Sequence, residues 1–278
     1  FERAQDAGFT VDLVSSGWLS VPNYEFVGLV HGQTYYMRVR ARDGVLNETG
    51  WSSSVSSIQD SNPPTATSYS DAVAANNDPN STWSRDSTVS FCADGLSDSL
   101  SGLKDVYVEV ATDSSFTSPL LDQRWLGNTT GSHTLTVAVA DGDTIYARAK
   151  FEDVAGNISG WYVTDGVRLD LSDPVAGDST DVVPANNDPD ETTSIDGDLT
   201  FAFTHSDAIS GVADVRMQIA TDSGFTSIVQ DVWLGTAVSP YSFTGGQDGA
   251  TYYARIWVKD VAGRESSAPG GQSNGILV

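Results

Sequence analysis

The sequence predicts an all-β protein built of tandem antiparallel β-sandwiches. One phrase occurs three times, as "TYYMRVRARDG" from Thr34, "TIYARAKFEDVAG" from Thr144 and "TYYARIWVKDVAG" from Thr251. Apolar and polar residues alternate in each copy, which is typical of a strand with one buried and one wet face. The copies lie about 110 residues apart, and a period of this length indicates whole domains in tandem rather than solenoid repeats.

Other segments of each repeat have the same alternating pattern. The second copy contains "STVSFCA", "DVYVEVAT", "HTLTVAVA" and "GVRLDL", and the third contains the matching "DLTFAFTH" and "DVRMQIAT". Turn-forming residues separate these runs at short intervals, and no amphipathic helical pattern interrupts them. Several short strands with regular turns predict an antiparallel sandwich in each copy.

The repeated strand resembles the sixth strand of fibronectin type III and related bacterial immunoglobulin-like domains. It is entered through "HGQTYY" or "DGATYY" and left through a D-x-A-G turn, and "GNISGWYVTDGVRLDLSDP" is similar to the last strand and exit linker of secreted bacterial modules. The resemblance implies a tyrosine corner at Tyr35 and at Tyr252, with each hydroxyl bonded to nearby backbone. Ile145 occupies this position in the second copy, where we expect packing alone to close the corner. The resemblance covers the whole chain, but such modules serve many functions.

Short proline-marked linkers, "QDSNPP" and "LSDP", divide the chain into units. The predicted units are a partial sandwich over 1–60 and complete sandwiches over 61–171 and 172–278. Phe1 aligns with the middle of the later copies, so the first sandwich is expected to be incomplete at its N-terminus. Upstream sequence or another copy of the chain, by strand addition, would supply its missing strands.

The charge of the chain excludes some partners. Lys and Arg number 14 against 37 Asp and Glu, which gives a formal net charge of -23. Such a surface repels phosphates, so we predict that the chain binds no nucleic acid and inserts in no membrane. The acid is mostly Asp in turns, which suits a soluble extracellular or cell-surface protein in a calcium-containing medium.

The sequence contains no recognisable catalytic motif. The single cysteine, Cys92, has no partner thiol, and His31, His133 and His205 fall at unrelated places in the repeats. We expect each histidine to face solvent alone. Nucleophile, phosphate-loop and zinc-binding signatures are lacking, so the chain is predicted not to be an enzyme.

Calcium is the candidate cofactor. Hard divalent cations take several oxygen ligands at once, and Asp is clustered near the predicted unit boundaries. The same Asn-Asp-Pro segments are also good turns, because Asx side chains cap their own backbone. Asp43, Asp153 and Asp260 end the repeated strand and are interpreted as Asx-turn caps. The candidate calcium ligands are Asp78, Asp188, Asp190, Asp196 and Asp198.

Four Asn-x-Ser/Thr sequons are candidates for glycosylation. They lie at Asn47, Asn80, Asn128 and Asn157. Ser and Thr are so common in this chain that chance accounts for about half of them. Asn47 and Asn157 share one place in the repeat, which a turn asparagine explains equally well.

Exposed aromatic residues offer a possible ligand surface. Tyr253 and Trp257 point away from the predicted core, with Arg255 between them. Such a strip stacks on sugar rings in carbohydrate-binding modules. It also forms the cross-strand pairs that cover an exposed sheet, which is the interpretation we favour.

Two functions fit these observations. The first is a non-catalytic structural or adhesive segment of an extracellular protein, a stalk, spacer or fibre subunit that contacts other chains or further copies of itself. The second is a set of accessory or carbohydrate-binding modules of a secreted polysaccharide-degrading enzyme. Binding to a polysaccharide separates the two.

Overall fold

The computed structural model describes residues 1–72, 80–182, 190, 192–236 and 239–278. The described residues form twenty β-strands and no helix, as the alternating sequence pattern predicts. No helix long and apolar enough to cross a membrane occurs in this part of the chain. The strands form three groups along the chain, which we call the first, second and third units.

The first unit contains a single four-stranded antiparallel sheet in the order β2-β1-β3-β4. Its strands are β1 (Glu2–Ala4), β2 (Val14–Ser15), β3 (Thr34–Arg38) and β4 (Val55–Ile58). No second sheet packs on it among the described residues, and Val39 is therefore 38% exposed. Ile256, at the equivalent place in the third unit, is fully buried. The repeated strand therefore forms in the first unit, although its inward face is less buried than in the third unit.

The second unit contains two sheets. Its strands are β5 (Ser68–Asp71), β6 (Trp83–Ser84), β7 (Thr88–Asp94), β8 (Leu103–Ala111), β9 (Leu121–Leu126), β10 (His133–Thr136), β11 (Thr144–Asp153), β12 (Tyr162–Val163) and β13 (Val167–Leu169). One sheet has the order β10-β7-β5, and the other has β6-β13-β11-β8-β9, with β12 also paired to β11. Phe91 from the first sheet and Phe151 from the second lie fully buried in one apolar core. This is the sandwich that the sequence predicts.

The third unit repeats this architecture. Its strands are β14 (Val175–Asp181), β15 (Asp198–Ser206), β16 (Val212–Ala220), β17 (Ile228–Trp233), β18 (Tyr241–Thr244), β19 (Thr251–Asp260) and β20 (Ile276–Leu277). The sheets have the orders β14-β15-β18 and β17-β16-β19-β20. Phe201 and Ile256 meet in its core. Strands β16 and β19 correspond to β8 and β11, so loops of like sequence reach the same end of both sandwiches.

Both predicted tyrosine corners are present. The Tyr35 Oη accepts a hydrogen bond from the Val30 backbone N at 3.0 Å, and the Tyr252 Oη accepts one from the Gln247 N at 3.0 Å. Ile145 is fully buried in the core of the second unit, where packing closes the corner. The resemblance of the repeated strand therefore predicted these contacts correctly.

The expectation that every histidine faces solvent was wrong for His133. This residue begins β10 with its side chain on the inward face, and it is only 3% exposed. Its ring meets the Trp125 ring edge-on, with the centroids 4.1 Å apart. Burial lowers the pKa of His133 to about 4, so the imidazole is neutral at physiological pH.

Candidate metal centres at the domain junctions

Three aspartates meet at the start of the second unit, and three more meet at the start of the third. The first triad is Asp60, Asp98 and Asp153, and the second triad is Asp170, Asp207 and Asp260. Within each triad, one carboxylate oxygen from every residue lies within 4.8 Å of the others. Two members of each triad are buried and the third is half-buried. The described residues therefore offer two oxygen-rich clusters at equivalent places.

Each triad joins a linker to the unit that follows it. Asp60 comes two residues after β4, and Asp170 directly follows β13, so both lie at the exit from the last strand of a unit. The other two members belong to the next unit. Asp153 ends β11, and Asp98 lies in the loop before β8. The second triad draws on the same two places of the third unit.

The loop aspartates are held by a repeated S-D-x-x-S-G sequence. The Asp98 Oδ1 accepts hydrogen bonds from the Leu100 N at 3.1 Å and the Gly102 N at 2.6 Å. The Asp207 Oδ1 makes the equivalent contacts at 3.1 and 2.6 Å. Gly102 has a φ of 85°, a conformation that glycine adopts without strain. The sequence therefore fixes one oxygen of each loop aspartate on its own backbone.

The linker aspartates bind the same loop of the following unit. The Asp60 Oδ2 accepts a hydrogen bond from the Ser101 N at 3.0 Å, and the Asp170 Oδ2 accepts one from the Ser210 N at 3.0 Å. The hydroxyls of these serines accept bonds from the backbone of the D-V-A-G turn, at 3.3 Å in the second unit and 3.2 Å in the third. Linker, loop and turn are thus connected in the same way at both junctions.

The third members cap the turn that follows the repeated strand, as the sequence predicted. The Asp153 Oδ1 accepts the Asn157 backbone N at 2.8 Å, and its Oδ2 accepts the Asn157 Nδ2 at 2.8 Å. The Asp260 Oδ1 likewise accepts the Arg264 backbone N at 2.8 Å. The Asp260 Oδ2 is buried and has no hydrogen-bond partner among the described residues. Both carboxylate oxygens of Asp153 therefore accept hydrogen bonds, whereas among the described residues only the Oδ1 of Asp260 does.

The two triads also differ in electrostatics. Hydrogen bonds from Ser101 hold the pKa of Asp60 below its usual value. Burial, and to a smaller extent the charges of Asp170 and Asp207, raises the pKa of Asp260 to about 6. Among the described residues, the charged groups that shift the pKa of Asp260 are both carboxylates, so the second triad concentrates negative charge.

The geometry of the triads fits a divalent cation. Ca²⁺ binds oxygen at 2.3–2.6 Å, so two ligands of one ion can lie up to about 5.2 Å apart. The 4.8 Å limit within each triad lies inside this range. The donors are carboxylates alone, which suit Ca²⁺ or Mg²⁺ better than Zn²⁺. These six residues could hold a divalent cation. The ligands predicted from the sequence were other aspartates.

The five residues predicted to bind calcium are not tested by the structure. Asp78 and Asp188 lie outside the described residues. The Asp190 Oδ1 accepts the Thr192 N at 2.8 Å, and the Asp196 Oδ1 accepts the Asp198 N at 3.0 Å, which are turn-capping contacts. Where the structure describes the chain, Asp190, Asp196 and Asp198 belong to neither triad.

All four candidate glycosylation sites engage their side chains within the protein. The Asn47 Nδ2 donates to Asp43 at 2.8 Å, and the Asn157 Nδ2 donates to Asp153 and to the Asp60 carbonyl. Modification at Asn157 would therefore break contacts of the first triad.

The other two sequon asparagines cap turns. The Asn80 Oδ1 accepts the Thr82 N at 2.9 Å, and the Asn128 Oδ1 accepts the Thr130 N at 3.1 Å. These contacts give every sequon a structural explanation, and glycosylation stays a prediction.

The aromatic strip of the third unit is engaged in contacts across its own sheet. The Arg255 guanidinium lies over the Phe225 ring, 4.1 Å from its centroid, and its Nε donates to the Gln218 Oε1 at 2.9 Å. The Trp257 Nε1 is 3.4 Å from the same oxygen. Tyr253 and Trp257 are each half-buried on this face. The ladder of cross-strand pairs favoured by the sequence accounts for these contacts.

Sequence reasoning missed four of the six triad residues. Asp153 and Asp260 were recognised as recurring turn caps, but no metal role was assigned to them. The missed signal was the recurrence of Asp98 and Asp207 in S-D-x-x-S-G loops. The linker aspartates recur as well, but the linker sequences around them differ.

Two solved structures are similar to this chain at low sequence identity. No protein-family model and no curated protein matches the sequence. The FN1-FN3 domains of chicken CNTN1 are similar over 89% of this chain and 76% of that chain, with 12% identity and a TM-score of 0.45. The fibronectin(III)-like modules of Clostridium thermocellum CbhA are similar over 71% of this chain and 87% of that chain, with 12% identity and a TM-score of 0.40.

Both similar structures consist of fibronectin type III or fibronectin(III)-like domains in tandem. The assignment of tandem fibronectin type III-like β-sandwiches follows from the strand orders of the second and third units. This assignment concerns the fold of the units and not their function.

Proposed function

We propose that this chain is a non-catalytic structural segment of an extracellular protein, a stalk or spacer whose sandwich units are joined by stiff junctions. The observation that carries the proposal is the repeated attachment of each linker to the next unit. Asp60 and Asp170 leave the last strand of one unit and accept backbone hydrogen bonds from Ser101 and Ser210 of the next. A linker held in this way does not act as a floppy tether.

Contacts between the second and third units support the same conclusion. Arg264 of the third unit donates to the carbonyl of Arg85 in the second unit at 2.6 Å, and it pairs with the linker residue Asp173 at 2.6 Å. The Asn80 Nδ2 of the second unit lies 3.5 Å from the Val261 carbonyl of the third. These contacts fix the orientation of one sandwich on the next, which a spacer requires.

The alternative function, that of carbohydrate-binding modules, requires an aromatic surface that is free to stack on sugar. In the strip around Trp257, the Trp257 Nε1 and the Arg255 Nε instead both donate to the Gln218 Oε1 of the neighbouring strand. These contacts favour the structural function over the alternative.

A distance measurement tests the stiff junction. With Cys92 replaced by serine, nitroxide labels at Asp122→Cys on β9 and Val229→Cys on β17 report the separation of the second and third units in the full chain. Both positions are exposed and lie on corresponding edge strands. We expect one narrow distance distribution in pulsed electron paramagnetic resonance. A broad distribution would show freely hinged units and overturn the spacer proposal.

A further inference from the structure

We propose that the second triad is a Ca²⁺ site that fastens the last strand of the second unit to the base of the third. The site goes beyond the proposed spacer function, because it makes the junction responsive to a cation. Two features point to this site. Asp170, Asp207 and Asp260 converge, and the buried Oδ2 of Asp260 has no hydrogen-bond partner among the described residues.

The first argument is the unpartnered oxygen of Asp260. The side chain is 1% exposed, and no donor among the described residues reaches its Oδ2. A buried carboxylate oxygen without a donor carries a large desolvation cost. The carboxylates of Asp170 and Asp207 each place an oxygen within 4.8 Å of an Asp260 oxygen. A cation bound among them would supply the missing partner.

The second argument is the balance of charge within the site. The Asp170 and Asp207 carboxylates accept hydrogen bonds from neutral donors, which belong to Ser172, Ile209, Ser210 and Gly211. Arg264 follows Asp260 in the turn, but its guanidinium points to Asp173 and to the Arg85 carbonyl instead. Three carboxylates thus share a mostly buried site, which favours a divalent cation over protonation at neutral pH.

The third argument concerns the identity of the ion. The three ligand side chains provide hard oxygen donors only, which excludes a preference for soft metals. Each carboxylate also accepts backbone hydrogen bonds, so the ligands cannot rearrange freely into an ideal octahedron. Ca²⁺ accepts irregular coordination by six to eight oxygens, whereas Mg²⁺ demands near-ideal octahedral geometry. The site therefore selects Ca²⁺.

The consequence of binding follows from where the ligands lie. Asp170 belongs to the exit of β13, whereas Asp207 and Asp260 belong to the third unit. A shared ion would add a strong link between the two units, beside the hydrogen bonds that involve Arg85 and Asn80 and the ion pair between Arg264 and Asp173. The expected result is a junction that is stiffer with calcium than without it.

Calorimetry on the full chain tests the site directly. The chain is first treated with a chelator and then titrated with CaCl₂ and, separately, with MgCl₂. We expect Ca²⁺ to bind more tightly than Mg²⁺, and Asp207→Asn and Asp260→Asn each to weaken Ca²⁺ binding by at least about tenfold, because ligand charge sets affinity. Asparagine keeps the Oδ1 that accepts the backbone hydrogen bonds and removes the charge, so both variants should fold.

The matched control is Asp43→Asn. Asp43 caps the same turn in the first unit, accepting the Asn47 N at 2.9 Å, and it belongs to neither triad. This variant should bind Ca²⁺ as the wild type does. If the chain binds no Ca²⁺, binds Mg²⁺ equally well, or binds Ca²⁺ unchanged in both triad variants, the proposal is overturned. Circular dichroism confirms that each variant is folded, and the outcome does not depend on the spacer function, which the distance measurement tests separately.

Discussion

The two junctions have aspartates at three equivalent places. They differ in the residue that follows the D-V-A-G turn. In the first junction this residue is Asn157, whose amide donates to the Asp153 Oδ2 at 2.8 Å and to the Asp60 carbonyl at 3.2 Å. In the second junction it is Arg264, which turns away to Arg85 and Asp173. One substitution in the repeat therefore decides whether the third carboxylate is satisfied by the protein.

The difference shows how one scaffold supports two kinds of joint. In the first junction, Asn157 and His31, whose Nδ1 lies 3.3 Å from the Asp60 Oδ1, provide polar contacts from the chain itself. In the second, Arg264 connects the two units directly, and the Asp260 Oδ2 has no donor in the part of the chain that the structure describes. The first junction is held by hydrogen bonds within the chain, whereas a cation is our proposal for the second.

Removal of calcium gives the largest expected effect. At a hundredfold excess of Ca²⁺ over its dissociation constant, a site present only in the folded state stabilises the protein by about 2.7 kcal/mol. We expect a chelator to lower the melting temperature of the wild-type chain and to lower that of Asp207→Asn by about half as much or less, because a tenfold weaker site contributes about 1.4 kcal/mol at the same Ca²⁺ concentration. Scanning calorimetry with Ca²⁺ and then with chelator measures the difference.

The same scans test the five residues that the sequence proposed as ligands. If Asp188→Ala abolished the calcium effect while Asp207→Asn preserved it, the site would lie in the Asn-Asp-Pro segment and the comparison of the two junctions would be wrong. Asp43→Asn serves again as the control and should retain the full calcium effect.

Asp71 gives a pH effect that is separate from both junctions. Burial raises the pKa of this β5 side chain to about 7, with the nearby charge of Asp165 as the second cause. Because the folded pKa lies above the unfolded value of 3.8, the stabilisation is fully present below about pH 4 and is lost as the pH rises through about 7.

We therefore expect the wild type to lose on the order of 2 kcal/mol relative to Asp71→Asn between pH 5 and pH 8. Urea unfolding of the two proteins at each pH measures this difference, and effects common to both chains cancel. Parallel pH curves for wild type and variant would show that Asp71 ionises as an ordinary exposed carboxylate.

Exchanging the turn residue tests the comparison itself. Asn157→Ala removes the donor to the Asp153 Oδ2, and we expect Ca²⁺ affinity at the first triad to rise by about tenfold, since a hydrogen bond to a charged group contributes about 1.5 kcal/mol. Arg264→Asn should lower affinity at the second triad by a similar factor. Titration calorimetry measures both. Affinities that do not respond to either exchange would mean that the turn residue does not control the sites.

The sequence predicted the units and strands better than the candidate site for a physical reason. Alternation of Tyr252, Ala254 and Ile256 is a local pattern, and it directly determines which face of a strand is buried. The second triad brings together residues from a linker, a loop and a strand end, about 90 residues apart at the extremes, so only the folded chain shows that they meet.

The unpartnered oxygen of Asp260 was still less predictable. Nothing in the sequence shows that Arg264 points away from the turn, because its direction depends on Asp173 and on the Arg85 carbonyl of another unit. By contrast, the recurring Asp153 and Asp260 were correctly predicted as caps, since an Asx turn is a local interaction.

The smallest effect is expected at the aromatic strip, where the alternative function would lie. Trp257 and Trp233 both register with Arg216 across the sheet of the third unit, and Trp257 also lies 3.4 Å from the Gln218 Oε1. Since these contacts are internal to the sheet, we expect no specific binding to insoluble polysaccharides and no difference between wild type, Trp257→Ala and Tyr253→Ala in a pull-down. Leu126→Ala, at an exposed position of the second unit, is the control for nonspecific adsorption. Strong binding that both aromatic variants abolish and Leu126→Ala retains would place the function on the sheet face, and the junctions would then serve only to position a carbohydrate-binding surface.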